Sequence, residues 1–188
     1  LLVVATFVAY APAIRGGFVW DDNFYVWNNK TLRTADGLRR IWLEPTATSQ
    51  YYPMAFTSFW LEYRVWRAAP LGYHTVNVAL HVANALLLWL VLRRLAVPGA
   101  SLAAALFALH PVHVESVAWI TERKNVLSGL FYLSALLVFL PVFGLDERAA
   151  RDPARAPSWR LYALGLLLFL AALLSKSVTC SLPAVILL

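Results

Sequence analysis

Apolar and polar stretches alternate along the whole chain. The apolar runs cover residues 1–14, 76–92, 101–109, 126–143, 161–174 and 178–188. A helix needs about 20 apolar residues to cross a membrane, and the second and fourth runs approach that length. The pattern therefore predicts an all-α membrane protein, built as a bundle of several spanning helices.

The long polar stretch after the first run, residues 16–73, carries its own helical patterns. In "TADGLRRIWLE", Thr34 or Asp36 is placed to cap a helix whose apolar residues share one face. In "YYPMAFTSFWLEYRVW", Pro53 suits a first helical turn, and aromatic residues then recur at helical spacing. Aromatic helices beside basic residues are typical of a membrane interface, so we expect two interfacial helices in this first loop.

Composition supports the membrane assignment. The 188 residues are 61% hydrophobic and 14% charged, with a mean hydropathy of +0.64, well above the apolar content of soluble domains. The first residue is Leu and the last apolar run continues to the end, so we expect one membrane module, 1–188, truncated at both ends. Cys180 is the single cysteine, which excludes a disulfide framework within these residues.

The distribution of arginine predicts the topology. Arginines end the second run and fill the polar loop after the fourth: Arg93, Arg94, Arg148, Arg151, Arg155 and Arg160. Short Arg-bearing loops face the cytoplasm, although Arg123 and Lys124 on the opposite face weigh against this orientation. With it, residues 16–73, the turn 110–125 and Lys176 share the extracytoplasmic face. The scattered basic residues behind the net charge of +6 form no nucleic-acid motif, so lipid head groups are the expected partner.

Asp21 and Asp22 are the first candidates for chemistry. They stand side by side among aromatic residues in "GGFVWDDNFYVWNN", just beyond the first apolar run. Crowded carboxylates in partly apolar surroundings acquire raised pKa values, which suits a general base. Asp22 is slightly favoured because it lies further from the end of the run. The alternative is a solvated turn in which one carboxylate caps a helix.

A second candidate site is "HPVHVESVAWITERKN". His110, His113 and Glu115 lie within six positions and would suit a divalent metal, or Glu115 would act as an acid together with the aspartates. The alternative for the histidines is hydrogen bonding at a helix end. No cofactor is certain from the sequence.

Cations on the same face form the third candidate. Arg123, Lys124 and Lys176 would bind a phosphate or pyrophosphate, and the alternative is anchoring to lipid head groups. Three polar residues on the second run, Asn77, His81 and Asn84, fall on one helix face. Interhelical hydrogen bonds are the favoured interpretation of this stripe, with a cavity lining as the alternative.

Several of these segments together resemble a known family. "FVWDDNFYVWNN", "PLGYHTVNVALHVANALLLWLVL", "HPVHVESVAWITERKN" and "LLSKSVTCSLPAVILL" occur in the order seen in the transmembrane-and-TPR (TMTC-like) proteins. Those resemble the GT-C glycosyltransferases, which include protein O-mannosyltransferases. Tyr52, Asn125 and Ser177 depart from the pattern expected at their positions, so no acidic or basic role is carried over to them.

The resemblance implies a multi-pass GT-C enzyme. Such an enzyme transfers a mannose-like sugar from a polyprenyl-phosphate donor to an acceptor hydroxyl, here of a protein, at the extracytoplasmic face, with Asp21 or Asp22 as base. His110 and His113 join the three cations as expected substrate-binding residues. The expected location is a bacterial inner membrane, or the ER membrane in a eukaryote. The rival hypothesis is a non-enzymatic membrane scaffold or transporter.

Overall fold

Helices make up the regular structure in the computed structural model of the chain, which describes residues 1–145 and 158–187. No strand occurs in those residues. The α-helices, in chain order, are α1 (Leu2–Ala9), α2 (Ala11–Ile14), α3 (Lys30–Arg33), α4 (Gly37–Leu43), α5 (Pro53–Trp66), α6 (Pro70–Arg94), α7 (Ala100–Leu109), α8 (Val114–Ala118), α9 (Arg123–Val142), α10 (Trp159–Ser175) and α11 (Leu182–Leu187). A π-helical turn covers Asn23–Trp27, and 3-10 turns cover Pro111–His113, Ile120–Glu122 and Ser177–Ser181.

Among the described residues, two helices are long and apolar enough to cross a membrane. They are α6, with 25 residues, and the continuous Ile120–Val142 segment that ends in α9. A third crossing is formed if α7 and the following Pro111–Ala118 segment count as one span, bent by 50°. The sequence-based prediction of an all-α membrane protein is confirmed.

The first and last apolar runs differ in detail from single spans. The first run breaks at Tyr10 into α1 and α2, because Pro12 lacks the N–H that would continue the helix. The last run starts with a 3-10 turn and continues as α11, and its final residue lies outside the described residues. Three of the predicted cytoplasmic arginines, Arg148, Arg151 and Arg155, also lie outside them.

Helix α9 packs between α6 and α10, at the centre of the bundle. Gly165 of α10 lies against the Phe139 ring of α9, where an added Cβ would stand only 2.4 Å from a ring carbon. A small residue at such a contact lets two helices approach closely, which is the usual source of packing energy inside a membrane.

The first loop folds as a cap on one end of the bundle. Residues 16–69, called the first-loop cap here, contain the two helices predicted from the sequence, α4 and α5. Aromatic and aliphatic side chains of the cap form a hydrophobic core together with Tyr73 of α6 and Ile120 of the turn before α9. The buried members of this core are Tyr25, Val26, Leu32, Ile41, Phe56, Phe59, Tyr73 and Ile120. This shared core fixes the cap on the bundle.

Candidate active site

Three segments that are distant in the sequence meet at the capped end of the bundle. The side chain of Asp22 bonds to Thr121, and Arg123 bonds to Glu62 of α5. Lys176, at the end of α10, donates to Asn125. The cap, the turn before α9 and the α10 terminus therefore share one end, as the alternation of spans predicted.

Asp22 is completely buried at this junction. One carboxylate oxygen accepts from the backbone N–H of Thr121 at 2.8 Å and from its hydroxyl at 2.6 Å. The other oxygen accepts from the N–H of Val19 at 3.0 Å. A carboxylate enclosed by three donors holds the cap to the turn and has no open side toward a substrate. This geometry favours Asp21 over Asp22 as the candidate base.

Asp21 faces the opposite way and is exposed. The backbone turns sharply just before it, because Trp20 adopts the left-handed conformation with φ of +46°. The Trp20 ring is held edge-on against the ring of Trp119, with 5.4 Å between centroids. This turn directs the two neighbouring carboxylates differently, so that Asp21 remains at the surface of the site.

Arg123 is the most deeply buried cation described, with no exposed surface. Its guanidinium forms a two-pronged ion pair with Glu62. The remaining N–H groups donate to protein oxygens on α5 and α6: Ser58 Oγ at 3.2 Å, the Tyr73 carbonyl at 3.1 Å and Asn77 Oδ1. All five donors of the group are thus engaged. Arg123 joins α9 to α5 and α6, and its guanidinium has no N–H left to donate to a phosphate.

Glu122 is the anion between the two lysines. Lys124 Nζ lies 2.8 Å from one of its carboxylate oxygens, and Lys176 Nζ lies 4.0 Å from the other. Asn125 bridges the group, since its amide N–H₂ donates to Glu122 and its oxygen accepts from Lys176. Glu122 therefore offsets the repulsion between the two lysines without an external anion. The net charge of the three side chains is +1, so the group still attracts an anion.

Tyr25 of the cap lies close to Lys124. Burial raises the pKa of the Tyr25 hydroxyl, a hydrogen bond with Ser49 and the charge of Lys124 lower it, and the negative charges of Asp21 and Glu122 raise it. The Lys124 ammonium lies 5.5 Å from the centre of the Tyr25 ring. Lys124 therefore lies against the cap, over an aromatic residue of its core.

The two predicted histidine ligands and Glu115 do not form a metal site. His110 is exposed, and its ring Nδ1 accepts from the Val112 N–H at the start of the 3-10 turn. His113 instead packs against the ring of Phe107, 4.4 Å away between centroids, and Glu115 is exposed on the first turn of α8. The 3-10 turn Pro111–His113 interrupts the helix that would have placed His110 and His113 on one face. Within residues 1–145 and 158–187, no group of three His, Cys, Asp or Glu side chains is arranged to hold a metal, so that assignment is corrected.

The polar stripe on α6 forms the interhelical hydrogen bonds expected of it. Asn77 donates to the Trp119 carbonyl at 3.0 Å. The His81 Nε2 lies 3.1 Å from the Ala108 carbonyl, and Asn84 donates to the Val126 carbonyl at 2.8 Å. His81 and Asn84 also line a cleft of about 320 Å³ between α6 and α9. The stripe therefore combines packing with a cavity lining.

Three residues with central roles had no role in the sequence analysis: Glu62, Thr121 and Glu122. Glu122 directly precedes Arg123 and Lys124, and that alternation of charge was an available signal for a local ion pair. Glu62 sits on the face of α5 that carries Phe59, so an acid on an aromatic face was the signal for a buried partner.

Several curated proteins are similar to most of this chain. The chain is 34% identical over 181 residues to the protein O-mannosyl-transferase Tmtc1 of Drosophila melanogaster, which covers 90% of this chain and 20% of that protein. It is 32% identical to the protein O-mannosyl-transferase F38B6.6 of Caenorhabditis elegans over 73% of this chain and 22% of that protein. Human protein O-mannosyl-transferase TMTC4 is 33% identical over 72% of the chain and 22% of its own length.

The chain spans about a fifth of the length of these curated relatives. No family model matches it, and no solved structure matches it either. The relatives all carry the same family name, and the matched region includes most of the chain. The chain is a TMTC-like membrane protein.

Proposed function

We propose that the protein is a membrane glycosyltransferase of the GT-C type. It transfers a mannose-like sugar from a polyprenyl-phosphate donor to a hydroxyl of a protein acceptor, at the extracytoplasmic membrane face. The relatives, named protein O-mannosyl-transferases, support the reaction class. The observation that carries the proposal is that the Asp22–Thr121 contact brings its exposed neighbour Asp21 and the Lys124–Glu122–Lys176 cluster to the same end of the bundle.

Asp21 is the proposed general base. Its carboxylate takes the proton of the acceptor hydroxyl, and the oxygen attacks the anomeric carbon of the sugar. The bond between that carbon and the phosphate oxygen breaks, and the lipid phosphate leaves with the electron pair. A single displacement of this kind inverts the anomeric configuration. Asp22, held by Thr121, positions the turn that presents Asp21.

Lys176 is the proposed partner of the departing phosphate. Its side chain is 29% exposed and lies 4.0 Å from Glu122, so it is the more available of the two lysines. Lys124 is closer to Glu122 and only 13% exposed. A cation beside a developing negative charge stabilises the transition state more than the ground state. Glu115, exposed on α8, remains the proposed second acid. His110, which is also exposed, is proposed to contact the donor or the acceptor.

The proposed location is a multi-pass protein of a bacterial inner membrane, or of the ER membrane in a eukaryote. The bulk of α6 and α9 lies in the membrane, and the capped end faces away from the cytoplasm. A membrane-borne donor then reaches the cluster from the lipid side, while a protein acceptor approaches from water.

The test is a transfer assay with the full-length protein that contains these residues. The protein is reconstituted in liposomes with an isoprenyl phosphomannose and a folded acceptor domain, and transfer is followed by mass spectrometry. Asp21→Asn is expected to lower the rate at least a hundredfold. Asp36→Asn, which changes an exposed aspartate before α4, is the matched control and should retain the wild-type rate.

Two outcomes would contradict the proposal at different levels. A wild-type rate in Asp21→Asn would show that the base is another residue, with Glu115→Gln as the next variant. No transfer by well-folded wild-type protein, across several isoprenyl phosphosugars, would overturn the enzymatic function and favour a scaffold or transporter.

A further inference from the structure

The cleft beside the polar stripe has room for more than solvent. Its volume of about 320 Å³ is roughly ten times the share of one water molecule. It lies between α6, α7, α8 and α9. The side chains that bear on its chemistry are His81, Asn84, Phe107, His113, Ser116 and Asn125. None of the described lining residues belongs to the first-loop cap, so the cleft is separate from the packing of the cap.

An unpaired acceptor lies in the wall of the cleft. Asn84 is 3% exposed, and its amide N–H₂ donates to the Val126 carbonyl, but its Oδ1 has no hydrogen-bond partner. Gly129 faces it closely, since an added Cβ would stand 3.1 Å from the amide nitrogen. Buried acceptors are almost always paired, so an unpaired one beside a cavity indicates a missing donor.

The lining also defines the kind of ligand. Amide, hydroxyl, imidazole and phenyl groups are present, and none of the described lining residues is Lys, Arg, Asp or Glu. The rings of Phe107 and His113 lie 4.4 Å apart and give the cleft an aromatic side. Neutral hydrogen-bonding groups opposite apolar surface suit a neutral ligand that is rich in hydroxyls.

Asn125 connects the cleft with the charged cluster. It lines the cleft, donates to Ser116 Oγ at 2.9 Å, and accepts from Lys176 with its oxygen. A hydroxyl-rich group inside the cleft would therefore lie next to Asn125, whose oxygen accepts a hydrogen bond from the Lys176 ammonium. A sugar joined to a phosphate has this combination of a neutral part and an anionic part.

We infer that the cleft binds the sugar of the donor, with Asn84 Oδ1 accepting from one of its hydroxyls and Lys176 contacting the phosphate. This inference rests on the proposed function and adds the place and the recognition chemistry of the sugar. It also assigns His113 and Ser116, which line the same cleft, to the sugar.

Cysteine protection tests the inference by direct binding. The native thiol is removed by Cys180→Ser, and Ser116→Cys places a thiol on the cleft wall. Its rate of reaction with a small thiol reagent is measured in liposomes with no lipid added, with an isoprenyl phosphomannose, and with the same isoprenyl phosphate lacking sugar. We expect phosphomannose to slow labelling at least fivefold more than the sugar-free lipid does.

Two further positions keep the test decisive. Leu133→Cys, also on the cleft wall, replaces Ser116→Cys if that variant folds poorly. Ser101→Cys is the matched control: it lines a separate apolar cavity beside α7, and its labelling should not depend on the sugar.

The outcomes separate this inference from the proposed function. If the wild-type protein transfers mannose but both lipids slow labelling equally, the sugar binds elsewhere and the inference is wrong while the function stands. If phosphomannose protects the cleft but no transfer occurs, the binding site is supported and the function fails. Equal labelling with and without either lipid, in protein that binds neither, overturns both.

Discussion

The carboxylate of Asp22 accepts hydrogen bonds from both the backbone N–H and the hydroxyl of Thr121, a residue 99 positions further along the chain. One side chain thus ties the first loop to the turn that precedes α9. Its neighbour Asp21 stays exposed. Two adjacent acids that look equivalent in the sequence therefore have separable roles, one in structure and one in the proposed chemistry.

The separation predicts that the same substitution destabilises the protein at Asp22 and leaves its stability unchanged at Asp21. Asp22→Asn puts an amide N–H₂ near donors that require an acceptor, and should lower the free energy of unfolding by about 1–3 kcal/mol. Asp21→Asn should leave unfolding unchanged within about 0.5 kcal/mol, as expected for a surface substitution. Thermal unfolding of both variants in the same detergent measures the difference, and equal midpoints would contradict the assignment.

The buried pair of Arg123 and Glu62 predicts strong coupling. Arg123→Leu alone leaves an unpaired buried carboxylate and should lower the free energy of unfolding by about 3–5 kcal/mol. Arg123→Leu combined with Glu62→Leu removes both charges and should be more stable than Arg123→Leu alone. Arg39→Leu, which breaks the exposed pair with Asp36, is the control and should cost less than about 1 kcal/mol. Strictly additive effects of the Arg123 and Glu62 changes would contradict the coupling.

Lys176→Gln tests the proposed phosphate contact. Loss of one charge-assisted hydrogen bond to the departing phosphate should lower kcat/KM for the isoprenyl phosphomannose donor roughly tenfold, while the KM for the acceptor stays unchanged. Lys30→Gln changes an exposed lysine of α3 and is the control. If Lys176 only anchors its helix to lipid head groups, donor kinetics will be the same in the variant and in the wild type.

Membrane orientation is testable with single thiols in a Cys180→Ser background. Lys30→Cys on the cap and Val112→Cys on the turn after α7 should react with an impermeant reagent from the same, extracytoplasmic side. Val97→Cys, in the exposed connection between α6 and α7, should react only from the other side. Labelling of the first two positions from opposite sides would rule out a shared site.

Sequence reasoning was sufficient for the fold class and for the meeting of distant segments. Spans that alternate in direction bring every second loop to the same side, and this rule alone placed the first loop, the 110–125 turn and Lys176 together. The two helices of the cap also followed from their periodicity. These inferences depend on long patterns, which the sequence displays fully.

The roles of single residues could not be predicted from these patterns. Arg123 and Lys124 are adjacent cations, yet Arg123 is buried against Glu62 of α5 and Lys124 lies over the ring of Tyr25. Consecutive residues of a helix point about 100° apart, so a difference of one position decides the neighbour. Helix α9 is apolar around most of its circumference, and its rotation is set by packing with α6 and α10. The sequence therefore did not reveal which cation would be buried.

The distance in sequence between Glu62 and Arg123 has a consequence for biosynthesis. The buried carboxylate lies 61 residues before the guanidinium that neutralises it. At a synthesis rate of about 5–20 residues per second, the cap remains without this partner for roughly 3–12 seconds after Glu62 is made. During that interval the Glu62 carboxylate lacks its ion-pair partner, and the aromatic core of the cap lacks Ile120. Synthesis of residues 120–123 then adds Ile120, Thr121 and Arg123 together. These four consecutive positions supply the missing contacts of the cap.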